Sequence, residues 1–299
     1  MTRFFAVLLT ALLAVGAQAA DKPAKGRSTK AATVVDFDKD GDPILHSSSV
    51  LVLDPASGQT LYSKNADQVH PIASITKLMT AMVVLDAKQS LDDPVEITTE
   101  DIDLLKNTGS RLPIGSHFRR DDLLRLALMA SDNRAASALG RNYPGGLPAF
   151  VGAMNAKAKA LGLTQTHYVD SSGLSPGNVS SPQDLGKLVT AASQYPLIKE
   201  YSTTGAVNVT LPDGKRKINF VNTNALVRSS DWQIGLSKTG YINEAGKCLV
   251  MQAMISNQPI VIVLLDSWGR LTRVADANRI RKWLEKNPAK LAGSQFRPG

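Results

Sequence analysis

The 299-residue sequence contains one cysteine, Cys248, so no disulfide can form within the chain. A chain of this length must be stabilised by burial of apolar side chains, and Cys248, in the apolar stretch 247–255, is predicted to be a buried structural thiol. Histidine is also scarce: the four histidines are far apart and form no His-Glu-x-x-His pattern, which argues against a metalloenzyme. Each is interpreted as a surface or core residue, and neither a metal ion nor another cofactor is expected.

Acidic residues are fewer than basic ones, 26 against 34, which gives a formal net charge of +8. Such a charge draws a protein toward anionic polymers, including nucleic acids, acidic glycans and cell-wall material. The basic residues are scattered among carboxylates, and aromatic residues are not interleaved with them, so a nucleic-acid partner is not expected. The charge indicates solubility and a mild attraction to a polyanion.

The apolar run from Phe4 to Val15 is too short to span a bilayer. It follows the cation Arg3 and precedes Ala17-Gln18-Ala19, which has the small-x-small form of a signal peptidase site. We therefore predict a signal peptide over residues 1–19 and a secreted chain with no stable membrane anchor; a retained N-terminal anchor is the alternative.

The remaining sequence is predicted to hold a leader or linker over 20–45, one domain over 46–290 and a tail over 291–299. Apolar periodicity and turn residues predict a β-hairpin, then a helical middle, then three strands joined by short turns, then a final helix. The predicted elements are a hairpin over 50–65, a helix over 71–87, a strand-and-turn region over 95–115 and a helix over 121–130 that breaks at 131–133 and resumes through 139. They continue with helices over 147–161 and from 182 onward, strands over 207–211, 234–238, 247–255 and 259–266, and a helix over 272–286. This order predicts an α+β fold: an antiparallel sheet built from both chain ends and flanked by helices, with a mostly helical lobe inserted over about 100–200.

Three short motifs follow one another along the chain. Ser74-Ile75-Thr76-Lys77 opens the predicted buried helix, Ser131-Asp132-Asn133 lies at a break between helices, and Lys238-Thr239-Gly240 ends a strand. Each motif alone is a weak signal, since Lys77 could simply extend its ammonium into water along an apolar surface. In this order, at separations of 57 and 107 residues, and in these structural contexts, the three together are a strong signal for acyl-transfer chemistry.

The spacing of Ser74 and Lys77 places both side chains on one face of a helix. A serine hydroxyl is a poor nucleophile until a neighbouring base takes its proton. Lys77 can be that base only if its pKa falls, which burial and a second nearby cation would both cause, and Lys238 is the candidate for that cation.

The other motif residues are predicted to handle the leaving group and the substrate. Ser131 would relay the proton to the departing amine, and Asn133 would hold Lys77 and a substrate amide. Lys238 and Thr239 would bind a substrate carboxylate, while Gly240 would let the substrate lie along the strand edge. The backbone N–H groups of Ser74 and Tyr241 would form the oxyanion hole.

The sequence resembles the low-molecular-mass penicillin-binding proteins, the serine D-Ala-D-Ala peptidases. The resemblance runs over almost the whole mature chain and includes 71–87 (PIASITKLMTAMVVLDA), 126–140 (LALMASDNRAASALG), 170–185 (DSSGLSPGNVSSPQDL) and 235–248 (GLSKTGYINEAGKC). It implies the serine β-lactamase/transpeptidase-like fold, a penicillin-binding peptidase domain over 46–290, and the roles given above for Ser74, Lys77, Ser131 and Lys238. It also implies peptidoglycan stem peptides as substrate, β-lactam antibiotics as covalent inhibitors and a periplasmic location.

Two features narrow the choice within the superfamily: the first argues against a class A β-lactamase, and the second favours one branch, the soluble D-alanyl-D-alanine endopeptidases that cut peptidoglycan cross-links. The stretch 166–185 contains no glutamate that could activate a deacylating water as in class A β-lactamases, so penicillin is expected to acylate Ser74 and stay. Only 59 residues follow Gly240, too few for the second β-rich domain and membrane helix of the family's carboxypeptidases. A D-Ala-D-Ala carboxypeptidase and a non-catalytic peptidoglycan-binding protein remain alternatives.

A Gly-x-Ser-x-Gly match at residues 173–177 is interpreted as accidental. The α/β-hydrolase elbow requires a strand before it, a helix after it and a later histidine, and no histidine follows this stretch. The segment is predicted to be a loop at the border of the active site.

Overall fold

The computed structural model describes residues 36–211, 214–269 and 271–292. The predicted signal peptide, most of the predicted leader and most of the predicted tail lie outside these residues. The strands are β1 (Ser47–Leu53), β2 (Thr60–Lys64), β3 (His70–Pro71), β4 (Pro94–Glu96), β5 (His117–Arg119), β6 (Val179–Ser180), β7 (Ala206–Thr210), β8 (Lys217–Val221), β9 (Gln233–Ile242), β10 (Gly246–Ile255) and β11 (Gln258–Ser267). The helices are α1 (Thr76–Asp86), α2 (Arg120–Met129), α3 (Asn133–Arg141), α4 (Gly146–Ala160), α5 (Pro182–Ala192), α6 (Pro196–Thr203), α7 (Thr272–Lys286) and α8 (Pro288–Ala292).

Five strands form one antiparallel sheet in the order β2-β1-β11-β10-β9. The N-terminal hairpin and the three C-terminal strands therefore meet in one sheet, and α1 to α6 lie between them in sequence. The predicted α+β architecture, an antiparallel sheet flanked by helices with a mostly helical lobe inserted, is confirmed. Strand β9 lies at one edge of the sheet and carries Lys238, Thr239 and Gly240.

The sheet is buried on both faces because its inner strands are apolar at nearly every position. In β10, Cys248 and Val250 point into a core shared with the helical lobe, whereas Leu249 and Met251 point into a second core closed by α7. Trp283 of α7 is 1% exposed and fills that second core. Burial on both faces makes the sheet a rigid support for the edge strand that faces the site.

Packing begins before the predicted domain boundary at residue 46. The Asp36 carboxylate pairs with Arg279 at 3.2 Å and with Lys282 at 3.0 Å, both on α7. Phe37 and Pro43 form a backbone bridge around the acidic turn between them. Residues 36–45 are thus attached to the C-terminal helix by charge pairs that sequence periodicity does not reveal.

The short strands β3, β5 and β6 and the short helix α8 were not predicted from the sequence, and neither were two longer elements, helix α6 and strand β8. Helix α6 starts with Pro196 at its first turn, a position where proline is favoured, but its eight residues end in Tyr-Ser-Thr, which are poor helix formers. Strand β8 pairs only with β7 in a separate two-stranded sheet. Within the residues described, no helix is both long and apolar enough to cross a membrane.

Candidate active site

Ser74 lies in a 3-10 turn, Ala73–Ile75, immediately before α1. Ala73 has φ +47°, a left-handed conformation that an L-residue adopts at a cost of about 1–3 kcal/mol. The side chain of Thr76 donates to the Ala73 carbonyl at 2.8 Å, and Asn178 Nδ2 donates to Thr76 Oγ1 at 3.0 Å. These bonds hold the turn in a shape that presents Ser74 at the end of a buried helix.

Lys77 is 1% exposed, and its Nζ has three partners. It lies 2.9 Å from Ser74 Oγ, 2.7 Å from Asn133 Oδ1 and 2.6 Å from the Ser172 carbonyl. A neutral amine has two N–H groups and one lone pair, and the two carbonyl oxygens can only accept. They therefore take both N–H groups and leave the lone pair directed at the Ser74 hydroxyl, as a general base requires.

The pKa of Lys77 is lowered from 10.5 to about 7, because burial disfavours the ammonium. The negative charges of Asp170, Asp132 and Asp103 oppose this effect and raise the pKa. Of the two expected causes of the fall, burial is confirmed, whereas Lys238 is not among the groups that shift the pKa of Lys77.

Lys238 is also 1% exposed, and its Nζ donates to Ser131 Oγ at 2.9 Å and to the Thr239 carbonyl at 2.9 Å. Burial lowers the pKa of Lys238 well below its ordinary value, and repulsion from Lys77 and Arg273 lowers it further. Ser131 has φ +58° at the break between α2 and α3, which turns its side chain toward β9. The second motif is thus linked to the third through Ser131 and to the first through Asn133.

The structure gives a second reason for a glycine at position 240, in addition to the one inferred from the sequence. A Cβ on this residue would lie 2.8 Å from the Ile72 carbonyl and 3.2 Å from the backbone nitrogen of Ser74. Strand β9 therefore packs directly against the turn that carries Ser74, and only glycine allows that approach. This packing brings the backbone of Tyr241, the next residue along β9, close to Ser74.

Two further predicted site residues follow the same strand. Thr239 Oγ1 donates to Thr223 Oγ1 at 2.6 Å, and the residue is 5% exposed. The Tyr241 side chain is 55% exposed, with the Lys247 ammonium 4.0 Å from its ring centroid. The structure thus brings Ser74, Lys77, Ser131, Asn133, Lys238, Thr239, Gly240 and Tyr241 to one site.

The 173–177 segment is a loop that borders this site, as predicted. Its neighbour Ser172 supplies one of the two carbonyl acceptors for Lys77. Asp170 holds the loop by accepting from the backbone N–H groups of Ser172 at 2.7 Å and Ser175 at 2.9 Å. Gly173 has φ +82°, and a Cβ there would lie 2.0 Å from the Ala73 carbonyl.

Sequence reasoning missed four residues of the site: Ser172, Asp170, Thr108 and Asp103. Ser172 contributes a backbone carbonyl, which carries no residue signature. The only available signal for Asp170 was its position before Ser-Ser-Gly, a pattern typical of an Asx turn.

Cys248, the other candidate nucleophile in the sequence, is not part of this site. Cys248 is fully buried, burial raises the pKa of its thiol to about 11, and its Sγ lies 3.4 Å from the Ala245 carbonyl, so the prediction of a structural thiol is confirmed. In the part of the chain that the structure covers, no group of three or more His, Cys, Asp or Glu side chains could hold a metal ion.

Comparison with known proteins places the chain among bacterial cell-wall enzymes. Residues 37–268 match the peptidase S11 family model, described as D-alanyl-D-alanine carboxypeptidase. The chain is 51% identical over 241 residues to a D-alanyl-D-alanine endopeptidase of Pseudomonas aeruginosa and 46% identical over 243 residues to one of Escherichia coli. Each alignment covers 81% of this chain and 78% of the relative.

One solved structure and one further relative also match the chain, at lower sequence identity. The crystal structure of the Streptomyces K15 DD-transpeptidase matches with a TM-score of 0.76 and 29% identity, over 81% of this chain and 97% of that one. A D-alanyl-D-alanine carboxypeptidase from the same Streptomyces strain is 33% identical over 242 residues, covering 76% of this chain and 83% of that protein.

Proposed function

The chain belongs to the D-alanyl-D-alanine carboxypeptidase family of serine peptidases, S11, and on that basis we propose that it is a DD-endopeptidase that cleaves D-Ala-containing cross-links of peptidoglycan. The observation that carries this proposal is the contact of the buried Lys77 amine with Ser74 Oγ, with both other partners being carbonyl acceptors. The two relatives at 51% and 46% identity are both named endopeptidases, which supports cross-links rather than free D-Ala-D-Ala ends as the substrate.

In the proposed acylation step, Ser74 Oγ attacks the carbonyl carbon of the D-Ala residue at the cross-link, and its proton passes to Lys77. The tetrahedral oxyanion would accept hydrogen bonds from the backbone N–H groups of Ser74 and Tyr241. As the C–N bond breaks, Ser131 would give its proton to the departing amine and would regain one, overall, from the Lys77 ammonium, which returns to the neutral amine. The products are an ester on Ser74 and a free amine, and water then hydrolyses the ester.

Substrate binding would use the residues around this centre. The Asn133 Nδ2 group has two hydrogens, of which one is donated to Thr108 and the other can bind a substrate carbonyl. Lys238 and Thr239 would bind a substrate carboxylate. Penicillin, which carries such a carboxylate, is proposed to acylate Ser74 by the same route and to remain bound, because residues 166–185 contain no glutamate to activate water.

The location and domain limits remain part of this proposal. A cleaved signal peptide over 1–19 would place the enzyme in the periplasm, where its substrate lies. Cleavage would remove Arg3 and lower the formal net charge from +8 to +7, which would still favour contact with the anionic wall. The catalytic domain is proposed to cover 46–290, with residues 36–45 attached to it through Asp36.

The first test is covalent labelling. Purified protein incubated with a fluorescent penicillin should gain the mass of one penicillin on the peptide that contains Ser74, and Ser74→Ala should not be labelled. Labelling of a folded Ser74→Ala variant would contradict the assignment, and an unlabelled wild-type protein would favour a non-catalytic peptidoglycan-binding role.

The second test identifies the bond that is cut. Digestion of purified cross-linked peptidoglycan should convert dimeric muropeptides to monomers, as measured by liquid chromatography and mass spectrometry. Release of free D-alanine without loss of dimers would instead assign a carboxypeptidase.

A further inference from the structure

The loop between β4 and β5 carries a short segment, residues 103–110, that lies against the second motif. Ser110 Oγ donates to Asp132 Oδ2 at 2.8 Å, and Thr108 Oγ1 lies 2.8 Å from Asn133 Nδ2. On its other side the segment is tied to the turn between β9 and β10, because Lys106 forms an ion pair with Glu244. The 103–110 segment therefore bridges the two walls of the active site, and none of the three motifs includes it.

A chain of hydrogen bonds runs from this segment to the nucleophile. Asp103 Oδ2 lies 2.7 Å from Thr108 Oγ1, which lies 2.8 Å from Asn133 Nδ2. The other end of the same amide, Asn133 Oδ1, lies 2.7 Å from Lys77 Nζ, which reaches Ser74 Oγ at 2.9 Å. Four contacts thus join a carboxylate to the reactive hydroxyl.

The donor and acceptor roles in this chain are fixed at its carboxylate end. An ionised carboxylate can only accept hydrogen bonds, so the single hydroxyl hydrogen of Thr108 must point to Asp103. The Thr108 oxygen is then available only as an acceptor, so the NH₂ group of Asn133 must face it. The carbonyl oxygen of Asn133 is thereby turned toward Lys77.

Asp103 is held as a carboxylate by its surroundings. Partial burial raises its pKa, but hydrogen bonds from the backbone N–H of Lys106, the Thr108 hydroxyl and the backbone N–H groups of Thr108 and Leu105 outweigh that effect and lower the pKa overall. The acceptor-only end of the chain therefore persists at neutral pH.

We propose that Asp103 and Thr108 are positioning residues for the acyl-transfer reaction, which hold the Asn133 amide with its carbonyl oxygen toward Lys77 and so aim the Lys77 lone pair at Ser74. The proposal rests on the function proposed above. If the amide rotated, its NH₂ group would face Lys77, and two donors would oppose each other. The amine would then lose one of the two acceptors that leave its lone pair free for the hydroxyl.

The test is the rate of acylation by a fluorescent penicillin, measured by stopped flow between pH 5.5 and 9 for wild type and variants. Thr108→Val removes the hydroxyl and keeps the shape, whereas Thr108→Ser keeps the hydroxyl. Thr99→Val makes the same chemical change at an exposed threonine of the same loop and serves as the matched control. Label stoichiometry and thermal melting are recorded for each variant, so that misfolding is not mistaken for slow chemistry.

We expect Thr108→Val to be labelled to full stoichiometry but roughly tenfold more slowly, since misaligned catalytic groups cost at least that much. Thr108→Ser and Thr99→Val should stay within about twofold of wild type. Asp103→Asn provides an independent variant. An amide at position 103 can donate a hydrogen bond to Thr108, so the Thr108 hydroxyl no longer fixes which end of the Asn133 amide faces Lys77, and acylation should again be slower.

The pH profile separates positioning from a general structural role. Lys77 is faced by the carboxylates of Asp103, Asp132 and Asp170 and by the buried amine of Lys238. Loss of an acceptor in Thr108→Val, or of a negative charge in Asp103→Asn, disfavours the ammonium, so the acidic limb of the profile should move to lower pH while the maximum falls.

Acylation of Thr108→Val at the wild-type rate would overturn the proposal. So would a rate that falls only in proportion to the label stoichiometry while the acidic limb of the pH–rate profile stays where it is in wild type. Failure of the proposed function has a different signature: wild type itself would not be labelled, or Ser74→Ala would be.

Discussion

The buried amine of Lys77 makes a prediction about folding stability that requires no substrate. In the unfolded chain its pKa is the ordinary 10.5, and in the folded protein burial lowers the pKa to about 7. Between these two values the unfolded chain binds more protons than the folded one, so stability must rise with pH. The penalty for burying the amine is therefore complete below pH 7 and disappears as the pH approaches 10.5.

The size of the effect follows from the same two values. A change in pKa from 10.5 to 7 corresponds to about 5 kcal/mol of destabilisation at low pH. Because the unfolded chain binds more protons than the folded one over this range, the free energy of unfolding should rise by about 2 kcal/mol between pH 7 and pH 9. In Lys77→Met the titrating group is absent, and the pKa of Lys238 is released from one of its two repulsions, which flattens the variant's pH dependence further.

The assay is urea denaturation of wild type and Lys77→Met at pH 7 and pH 9, followed by circular dichroism. Wild type should gain about 2 kcal/mol or more relative to the variant over this range. The hydrogen bonds that Lys77→Met loses to Asn133 and Ser172 are missing at both pH values, so they cancel in the comparison. Ser74→Ala, which keeps the buried amine, should follow wild type. An equal stability gap at pH 7 and pH 9 would mean that the amine has an ordinary pKa, and the general-base assignment would fail.

Three further predictions follow from the site. Wild-type acylation by penicillin should rise about tenfold from pH 6 to pH 8, because Lys77 must be neutral to accept the Ser74 proton, and a flat stopped-flow profile would contradict this. Asp170→Asn should shift the acidic limb of that profile to lower pH by removing a negative charge near Lys77, and should lower the maximum because the Ser172 carbonyl is held less firmly; an upward shift would refute the charge argument. Gly240→Ala should reduce acylation about 100-fold, because its Cβ would push β9 away from the Ser74 backbone N–H, whereas a melting temperature close to wild type with normal acylation would show that the strand need not approach so closely.

Much of the fold was predictable because its long elements have strong periodicity. The continuous apolar run around Cys248 and the short turns beside it identify β9 to β11 as neighbours in one antiparallel sheet, and helix α7 has the predicted bounds 272–286. Helix α6 and strand β8 escaped prediction because they are short and half-exposed, so their existence depends on tertiary neighbours rather than on local pattern. Asp36 escaped for a related reason: its partners on α7 are more than 240 residues away.

The site was predictable as far as its chemistry depends on side chains at fixed spacing. Ser74 and Lys77 are three residues apart, so their contact follows from helix geometry. The two groups that orient the Lys77 amine could not be predicted from spacing along the sequence. One is the backbone carbonyl of Ser172, which any residue would supply, and the other is an amide whose orientation is set by Thr108 from a loop 25 residues earlier.

The opposing effects of burial and of nearby carboxylates explain why the pKa of Lys77 is about 7. Burial alone would keep the amine neutral, and a base that cannot hold a proton cannot take one from Ser74 and later return it. Asp170, Asp132 and Asp103 restore part of the stability of the ammonium from three different loops. Because Asp170 and Asp103 also hold the two carbonyl acceptors in place, the same carboxylates set both the direction of the lone pair and its affinity for a proton. Orientation and basicity at this site are therefore coupled, and a substitution at either carboxylate must change the maximum of the acylation rate and its pH dependence together.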